Sequence, residues 1–431
     1  MQDQSKAKGH IKWIHIFALS FGAGLIYFLP YLRGAYYQPL MEALGVTHTQ
    51  LGIIQSSYGI FTIIGYFPGG WLADRFSPRK LLTISYVATG IGGIYYAQFP
   101  SFNHVILLHI FFGITTSVTF WAAMIKAARL CADANGQGRV FGILEGGRGI
   151  IAVLASMVAV ALFAKFGSGP AGLRAIIYMY SALLLVIGAV IWFVFRDEKE
   201  MLTEDTVAKI TMDQIKRVFN MPIIWIITGI IFCAYTSYRC TDFLTPYMTK
   251  VCGVSATMGA LLGTIRMYGV RPFGAIAAGF MADRISSSRS LRILFLAVVI
   301  TNIIYVIFPG SPKLLYLVIV NMIVLMASQY AIRGIYWALL EEGKVPIVIT
   351  GTATGVISTL AYTPDIFNPI LGGWALDRFP GDTGYRIIFA VAGVSMAGAI
   401  LLIGVFRRYI VGQKQIKTDM AMKEAFPAKA V

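Results

Sequence analysis

The sequence predicts an all-α polytopic membrane protein with twelve transmembrane helices in two pseudo-symmetric six-helix halves. Three observations lead there. Hydrophobic residues make up 57% of the chain and charged residues 13%, against roughly 25% charged in soluble domains, and mean hydropathy is +0.71. Apolar runs of 18 or more residues recur along the chain, each long enough to cross a hydrocarbon core of about 30 Å as a helix. They lack the two-residue alternation of barrel strands. Finally, a charged turn between two such runs, GGWLADRFSPRKLL at 69–82, returns as GFMADRISSSRSL at 279–291 and is echoed by GGWALDRF at 372–379.

Taken in order, the helices are expected near 13–37, 50–73, 81–100, 104–128, 140–164 and 174–195, then 222–249, 256–281, 291–309, 314–340, 346–376 and 386–406. The first has a basic flank, but its apolar run is too long for a signal peptide and has no small-residue cleavage site, so it is expected to stay as an anchor. Residues 1–195 form the first half, and the polar segment 196–221 is a cytoplasmic linker. Residues 222–408 form the second half, and 409–431 a basic cytoplasmic tail. The halves align internally. GVTHTQLG (45–52) matches GVSATMGA (253–260), and GWLADR (70–75) matches GFMADR (279–284), at offsets of 208 and 209 residues. Phe120-Trp121-Ala122 matches Tyr336-Trp337-Ala338, and Gly138-x3-Gly142 matches Gly351-x3-Gly355. Duplicated six-helix halves are a transporter architecture with its site near the bilayer midplane.

The net charge of +16 is mostly topological. With the N-terminus inside, cytoplasmic segments hold 24 of the 36 Lys and Arg, outer segments six and helix interiors six. That bias predicts cytoplasmic N- and C-termini. No basic patch interleaved with exposed aromatics points to nucleic acid. Cys131, Cys233, Cys240 and Cys252 show no metal or redox spacing and read as small apolar residues. With no G-x4-GK[ST] loop, no HExxH and no His/Cys set, neither an ATP-driven pump nor a membrane enzyme is expected, and no metal or cofactor. The expected setting is a bacterial cytoplasmic membrane, and the expected state a monomer.

The turn at 69–82 carries a family resemblance. With Gly70, Leu72, Asp74, Arg75, Arg79 and Lys80 in its motif positions, the chain resembles the major facilitator superfamily over nearly its whole length. Ser77-Pro78 before Arg79 is similar to the form found in the organophosphate:phosphate antiporter branch. That branch has a substrate-binding arginine where this chain has Tyr31, with Arg33 the nearest base, and its seventh-helix pattern matches Tyr238-Arg239…Asp242…Pro246-Tyr247 one residue out of register. Arg271-Pro272-Phe273-Gly274 is similar to the anion-gripping R-P-x-G of nitrate and oxalate carriers, but Glu145-Gly146-Gly147-Arg148-Gly149 stands where nitrate carriers have a glycine-asparagine signature. The resemblance implies alternating access by rocking of the halves and an anionic cargo.

The intramembrane charges point the same way without any family. Each costs about 3 kcal/mol or more in lipid, so it faces partner helices or a watery cavity. Counting about 1.5 Å per residue from the nearest polar end puts Arg148 and Arg333 roughly 12–13 Å deep and Arg271 roughly 18 Å deep. One acid, Glu145, lies a turn from Arg148. Guanidinium forks suit carboxylates and phosphates. The expected substrate-binding set is therefore Arg148, Arg271, Arg333 and Glu145, with Trp121, Trp337, Tyr31 and the shallower Arg266. The aromatics are equally expected to pack, and each arginine has the alternative of an acid partner on another helix. Arg33 and Asp242, at corresponding outer ends of the first and seventh helices, are expected to close an outer gate, with Arg239 and Asp365 as further members. Asp74, Arg75, Arg79, Lys80, Asp283 and Arg284 are expected to clasp and orient the inner face, where basic residues also favour anionic lipid. Glu145, Asp242 and Asp365 are candidate proton carriers. The reading is a secondary carrier of a small organic anion, phosphorylated or carboxylated, coupled to protons or to a counter-anion. A proton-coupled carrier of a zwitterion such as an amino acid, and a non-transporting receptor or scaffold, are the alternatives.

Overall fold

The computed structural model describes residues 13–131, 137–195, 216, 218–271, 273–274, 281, 284–308 and 310–425. These are helices and short turns, with no strand among them. The first half comprises α1 (Trp13–Leu25, resuming at Arg33–Leu44), α2 (His48–Arg75), α3 (Pro78–Tyr96), α4 (Phe102–Thr116, running through Ser117–Trp121 into Ala122–Arg129), α5 (Gln137–Lys165) and α6 (Pro170–Val194). The second comprises α7 (Pro222–Cys240, Thr241–Phe243 and Leu244–Lys250), α8 (Ala256–Thr264, then Ile265–Gly269) and α9 (Ser287–Ile307). It continues with α10 (Leu315–Ile335, Tyr336–Ala338 and Leu339–Glu342), α11 (Ile347–Ala361 and Pro364–Arg378) and α12 (Thr383–Ala425). Seven described helices are individually long and apolar enough to cross a bilayer. Others, such as α1 and α11, are divided by a break and count as spans because the loops on either side alternate between two faces. The face carrying the loops at 45–47, 97–101, 166–169, 251–255 and 379–382 has no basic residue in those loops and is called the outer face below, after the expected orientation.

The internal repeats have a local cause. Gly45 and Gly253 occupy equivalent places and both take left-handed φ, +62° and +71°, which ends α1 and α7 where a Cβ would be strained. Two residues on, Thr47 and Ser255 cap the next helices, accepting from Gln50 N at 3.2 Å and Met258 N at 3.2 Å. Thr47 N also donates to Gln50 Oε1 at 3.0 Å, completing a reciprocal cap. In the turn at 69–82, Ser77 caps α3 and Pro78 occupies its first turn, so the serine-proline pair is a helix start.

Two features differ from the sequence expectation. The chain beyond 408 continues as helix to Ala425, because Lys, Gln, Met and Ala favour helix and the next proline is Pro427. Several spans are also interrupted: α1 by turns at 26–32, α4 by a π turn at Ser117–Trp121, α8 by one at Ile265–Gly269, and α7, α10 and α11 by tight turns near 241–243, 336–338 and 362–363. Non-helical backbone at membrane depth survives where protein surrounds it or a cavity borders it. Of the expected linker 196–221, residues 196–215 and 217 lie outside the described residues.

The halves meet most closely along α2 and α11. A Cβ on Gly52 would strike the Pro369 carbonyl, one on Gly373 the His48 carbonyl, and one on Gly59 would lie 2.8 Å from Asp365 O. All these positions are in the outer parts of the two helices, and glycine lets the backbones touch there. The outer half of the molecule is closed.

Candidate functional site

Four charged groups, Arg33, Arg239, Asp242 and Arg266, are buried together beneath the outer face with a half-buried fifth, Asp365, beside them, all at or next to helix breaks. Arg33 follows the turn in α1, Asp242 lies in the tight turn of α7 with Arg239 just before it, Arg266 is in the π turn of α8, and Asp365 opens the second segment of α11. Arg239 Nη1 lies 3.1 Å from Asp242 Oδ2, and its Nε 2.6 Å from Asp365 Oδ1. Arg266 Nη1 is 3.5 Å from Asp242 Oδ1, and Arg33 Nη2 is 4.0 Å from Asp242 Oδ2. Only the last pair joins the two halves. The Arg33 head instead stands near the Tyr37 and Phe243 rings, 5.7 and 5.5 Å from their centroids, and its two terminal nitrogens make no hydrogen bond. Two further links from this region reach backbone of the first half: Arg266 Nη2 and Thr245 Oγ1 each donate to Gly34 O at 3.0 Å. Arg239 and Asp365, expected as gate partners, thus pair inside the second half, and Arg266, expected among the substrate ligands, is fully buried in this cluster.

Arg333 is placed differently. Its guanidinium lies over Tyr238 at 4.3 Å and near Tyr235 at 5.6 Å. Tyr235 lies tilted against Tyr362 with ring centroids 4.6 Å apart, and Tyr362 and Tyr336 share a hydroxyl hydrogen bond of 2.9 Å with Trp337 beside Tyr336. Among the described residues no carboxylate comes within ion-pair distance of Arg333. In the first half, Arg148 sits 5.9 Å from the Trp121 ring, and its Nε donates to Ala23 O at 3.4 Å. Arg271 is exposed. Tyr31 packs on Tyr58 and lies 5.5 Å beneath Arg239, nearer the outer cluster than the Arg333 basket. The Glu145 side chain lies outside the described residues. A narrow cleft between α1, α5, α6 and α8 is walled by Phe28, Tyr36, Tyr180 and Tyr268, with no charged side chain. It offers nothing to hold an anion's charge.

On the inner face, Arg75 lies 3.9 Å over Trp71 and Arg79 4.0 Å over Trp192, while Lys80 and Arg284 are exposed. The Asp74 side chain and Asp283 lie outside the described residues. Among the described residues no group of three His, Cys, Asp or Glu stands together as a metal site needs.

One acid escaped the sequence reading. Asp377 of α11 accepts from His48 N at 3.1 Å and Thr49 N at 2.7 Å, and also from the Thr49 hydroxyl. A carboxylate of the second half thereby covers the free amides at the start of α2 in the first. Burial alone would raise this carboxyl, but the hydrogen bonds from Thr49 and His48 outweigh it and hold it below the usual carboxylate range. The signal was present, since Asp377 is the acid of the third echo, GGWALDRF.

Comparisons with known proteins place the chain. The model of the Major Facilitator Superfamily matches residues 16–363. The inner membrane protein YqcE of Escherichia coli K12 is 30% identical over 399 residues, covering 91% of this chain and 93% of that one. The hexuronate transporter of Bacillus subtilis is 23% identical over 399 residues, covering 87% and 89%. The solved structure of the nucleoside transporter NupG superposes with a TM-score of 0.73 over 91% of this chain and 98% of that one, at 15% identity, a likeness of fold alone. With its helical spans, the chain belongs to the Major Facilitator Superfamily and is a multi-pass membrane transporter, not an enzyme.

Proposed function

We propose that the protein is a secondary active carrier of a small organic anion in a cytoplasmic membrane, working by rocking of its two halves about an interior site. The observation that carries the reading is Arg333: a guanidinium within the span, on two tyrosine faces, with no carboxylate partner among the described residues. A cation held by ring quadrupoles keeps its hydrogen-bonding edge available, and that edge fits a carboxylate or phosphate. Arg148 beside Trp121 supplies a second guanidinium from the other half, so closing the halves on an anion brings charge from both sides. The similarity to a hexuronate transporter supports a carboxylated cargo, and the similarity to an inner membrane protein supports the location.

Uptake into proteoliposomes, with glucuronate, sulfoacetate and glycerol 3-phosphate as labelled probes, tests the reading. At least one probe is expected to accumulate, and Arg333→Ala to reduce its uptake at least tenfold, as loss of a charge-assisted contact predicts. Arg333→Lys is expected to restore only part, since it keeps the charge and loses the fork. Uptake unchanged by Arg333→Ala would falsify the anion site.

A further inference from the structure

We propose that Tyr235 is the positioning residue that ties occupancy of the Arg333 site to closure of the outer half. The inference rests on the anion reading above for its trigger, but on geometry alone for its wiring. Contacts run without a gap from the interior to the outer face. Arg333 lies 5.6 Å from the Tyr235 ring centroid. The Tyr235 hydroxyl donates to Asp365 Oδ2 at 2.9 Å. The other oxygen of Asp365 meets Arg239 Nε at 2.6 Å, Arg239 meets Asp242 at 3.1 Å, and Asp242 meets Arg33 of the first half at 4.0 Å. Arg239 also lies 5.5 Å from the Tyr31 ring centroid, and the Asp365 backbone abuts Gly59, so both seat directly against the first half.

The chemistry gives the relay a direction. A cation at a phenol ring draws electron density from it and makes its O–H a stronger donor, and the ion pairs beyond that hydrogen bond carry its effect on through a largely desolvated site. In the empty carrier, Arg333 therefore tightens the grip of Tyr235 on Asp365, and Asp365 in turn fixes Arg239 in its bridge to Asp242. An anion on Arg333 cancels that charge and draws the guanidinium off the rings. Tyr235 then donates more weakly, the bridge loosens, and the outer half is free to part. The empty carrier stays shut outside and the loaded one opens, which is the behaviour of an exchanger. Tyr238, whose ring lies closer to Arg333, has no hydroxyl contact to the acids and belongs to the seat of the arginine.

Hydrogen exchange of the full chain in lipid nanodiscs reads this directly. The outer segments 33–44 and 241–250 report opening, and α6 (170–194) serves as the control for general loosening. Without any anion, Tyr235→Phe, which keeps the ring and removes the hydroxyl, is expected to raise outer exchange about tenfold, the change expected of one hydrogen bond to a charged group. Arg333→Gln, which imitates the occupied site, is expected to do the same. The double variant should exceed neither single, because both break one chain. Asp365→Asn, of nearly the same shape, is the second arm and is expected to raise outer exchange at least as much as Tyr235→Phe, since it also removes the charge that holds Arg239. Glucuronate or glycerol 3-phosphate should raise outer exchange in the parent protein and leave Tyr235→Phe unresponsive. Outer exchange at the parent level in Tyr235→Phe and Asp365→Asn, or additive effects in the double variant, would overturn the relay. If the variants behave as expected while no probe anion alters the parent, the relay stands and the anion reading falls.

Discussion

Asp242 faces three guanidiniums, those of Arg33, Arg239 and Arg266, whereas Arg33 touches one carboxylate at 4.0 Å and otherwise rests near two rings. Removing the acid leaves buried cations without their counter-charge, at a cost of about 3–5 kcal/mol when a buried pair is broken. Removing Arg33 relieves a guanidinium whose terminal nitrogens have no hydrogen bond. Asp242→Asn is therefore expected to lower the detergent melting temperature far more than Arg33→Gln, and thermal unfolding followed by fluorescence decides it. Equal losses would mean that the Arg33 pair is as strong as the others. Counting residues along helices located this cluster, because depth follows from rise per residue. The same count could not show that Arg266 turns toward Asp242. Azimuth in the interrupted helices depends on where the backbone breaks, and a π turn rotates every side chain beyond it.

The α2 and α11 helices form the outer seam, and their contacts make two different demands. Backbone touching requires Gly52, so Gly52→Val is expected to hold the outer half apart. Alkylation of an outer-facing cysteine probe should rise and transport should fall, and unchanged labelling would show that the seam tolerates the bulk. The cap from Asp377 is electrostatic, and Asp377→Asn is expected to weaken closure by about 1 kcal/mol, the usual worth of a helix cap. Its pH dependence has a definite sign. The capped carboxyl titrates below its ordinary value of about 3.9. Its contribution is thus complete above that value and is lost as pH falls through the depressed one. Burial also lowers the neighbouring His48 imidazole below its usual range. Outer exchange at 48–51, corrected for its intrinsic rate, is expected to be flat between about pH 7 and 8, and a rise there in the parent protein would contradict the assignment. The turn chemistry of these helices was readable from sequence, since Gly45, Thr47, Ser77 and Pro78 act through neighbours a few residues away. Asp377 itself stood in the third echo, but its role as a cap was not readable, because its partners, the His48 and Thr49 amides and the Thr49 hydroxyl, lie more than 300 positions away. The breaks in α4 and α8 escaped for a related reason: an apolar run looks alike whether its helix is regular or bulged.

At the scale of the whole molecule, the duplicated halves, the spans and the family were legible because bilayer thickness and internal repetition leave marks that no single substitution erases. Which arginine keeps its hydrogen-bonding edge open was not legible, since that depends on how the two halves and their acids come together. The closed outer cluster carries one further consequence. Of its five charges, Arg239, Arg266, Asp242 and Asp365 belong to the second half and sum to zero, so opening separates one cation, Arg33, from a neutral group. A full elementary charge crossing the whole membrane field is worth about 2.3 kcal/mol per 100 mV, and Arg33 shifts through only part of that field when the halves part. The rearrangement of this cluster is thus almost electrically silent. Currents recorded from the protein on a solid-supported membrane will then report chiefly the valence of the cargo and of whatever ion accompanies or replaces it.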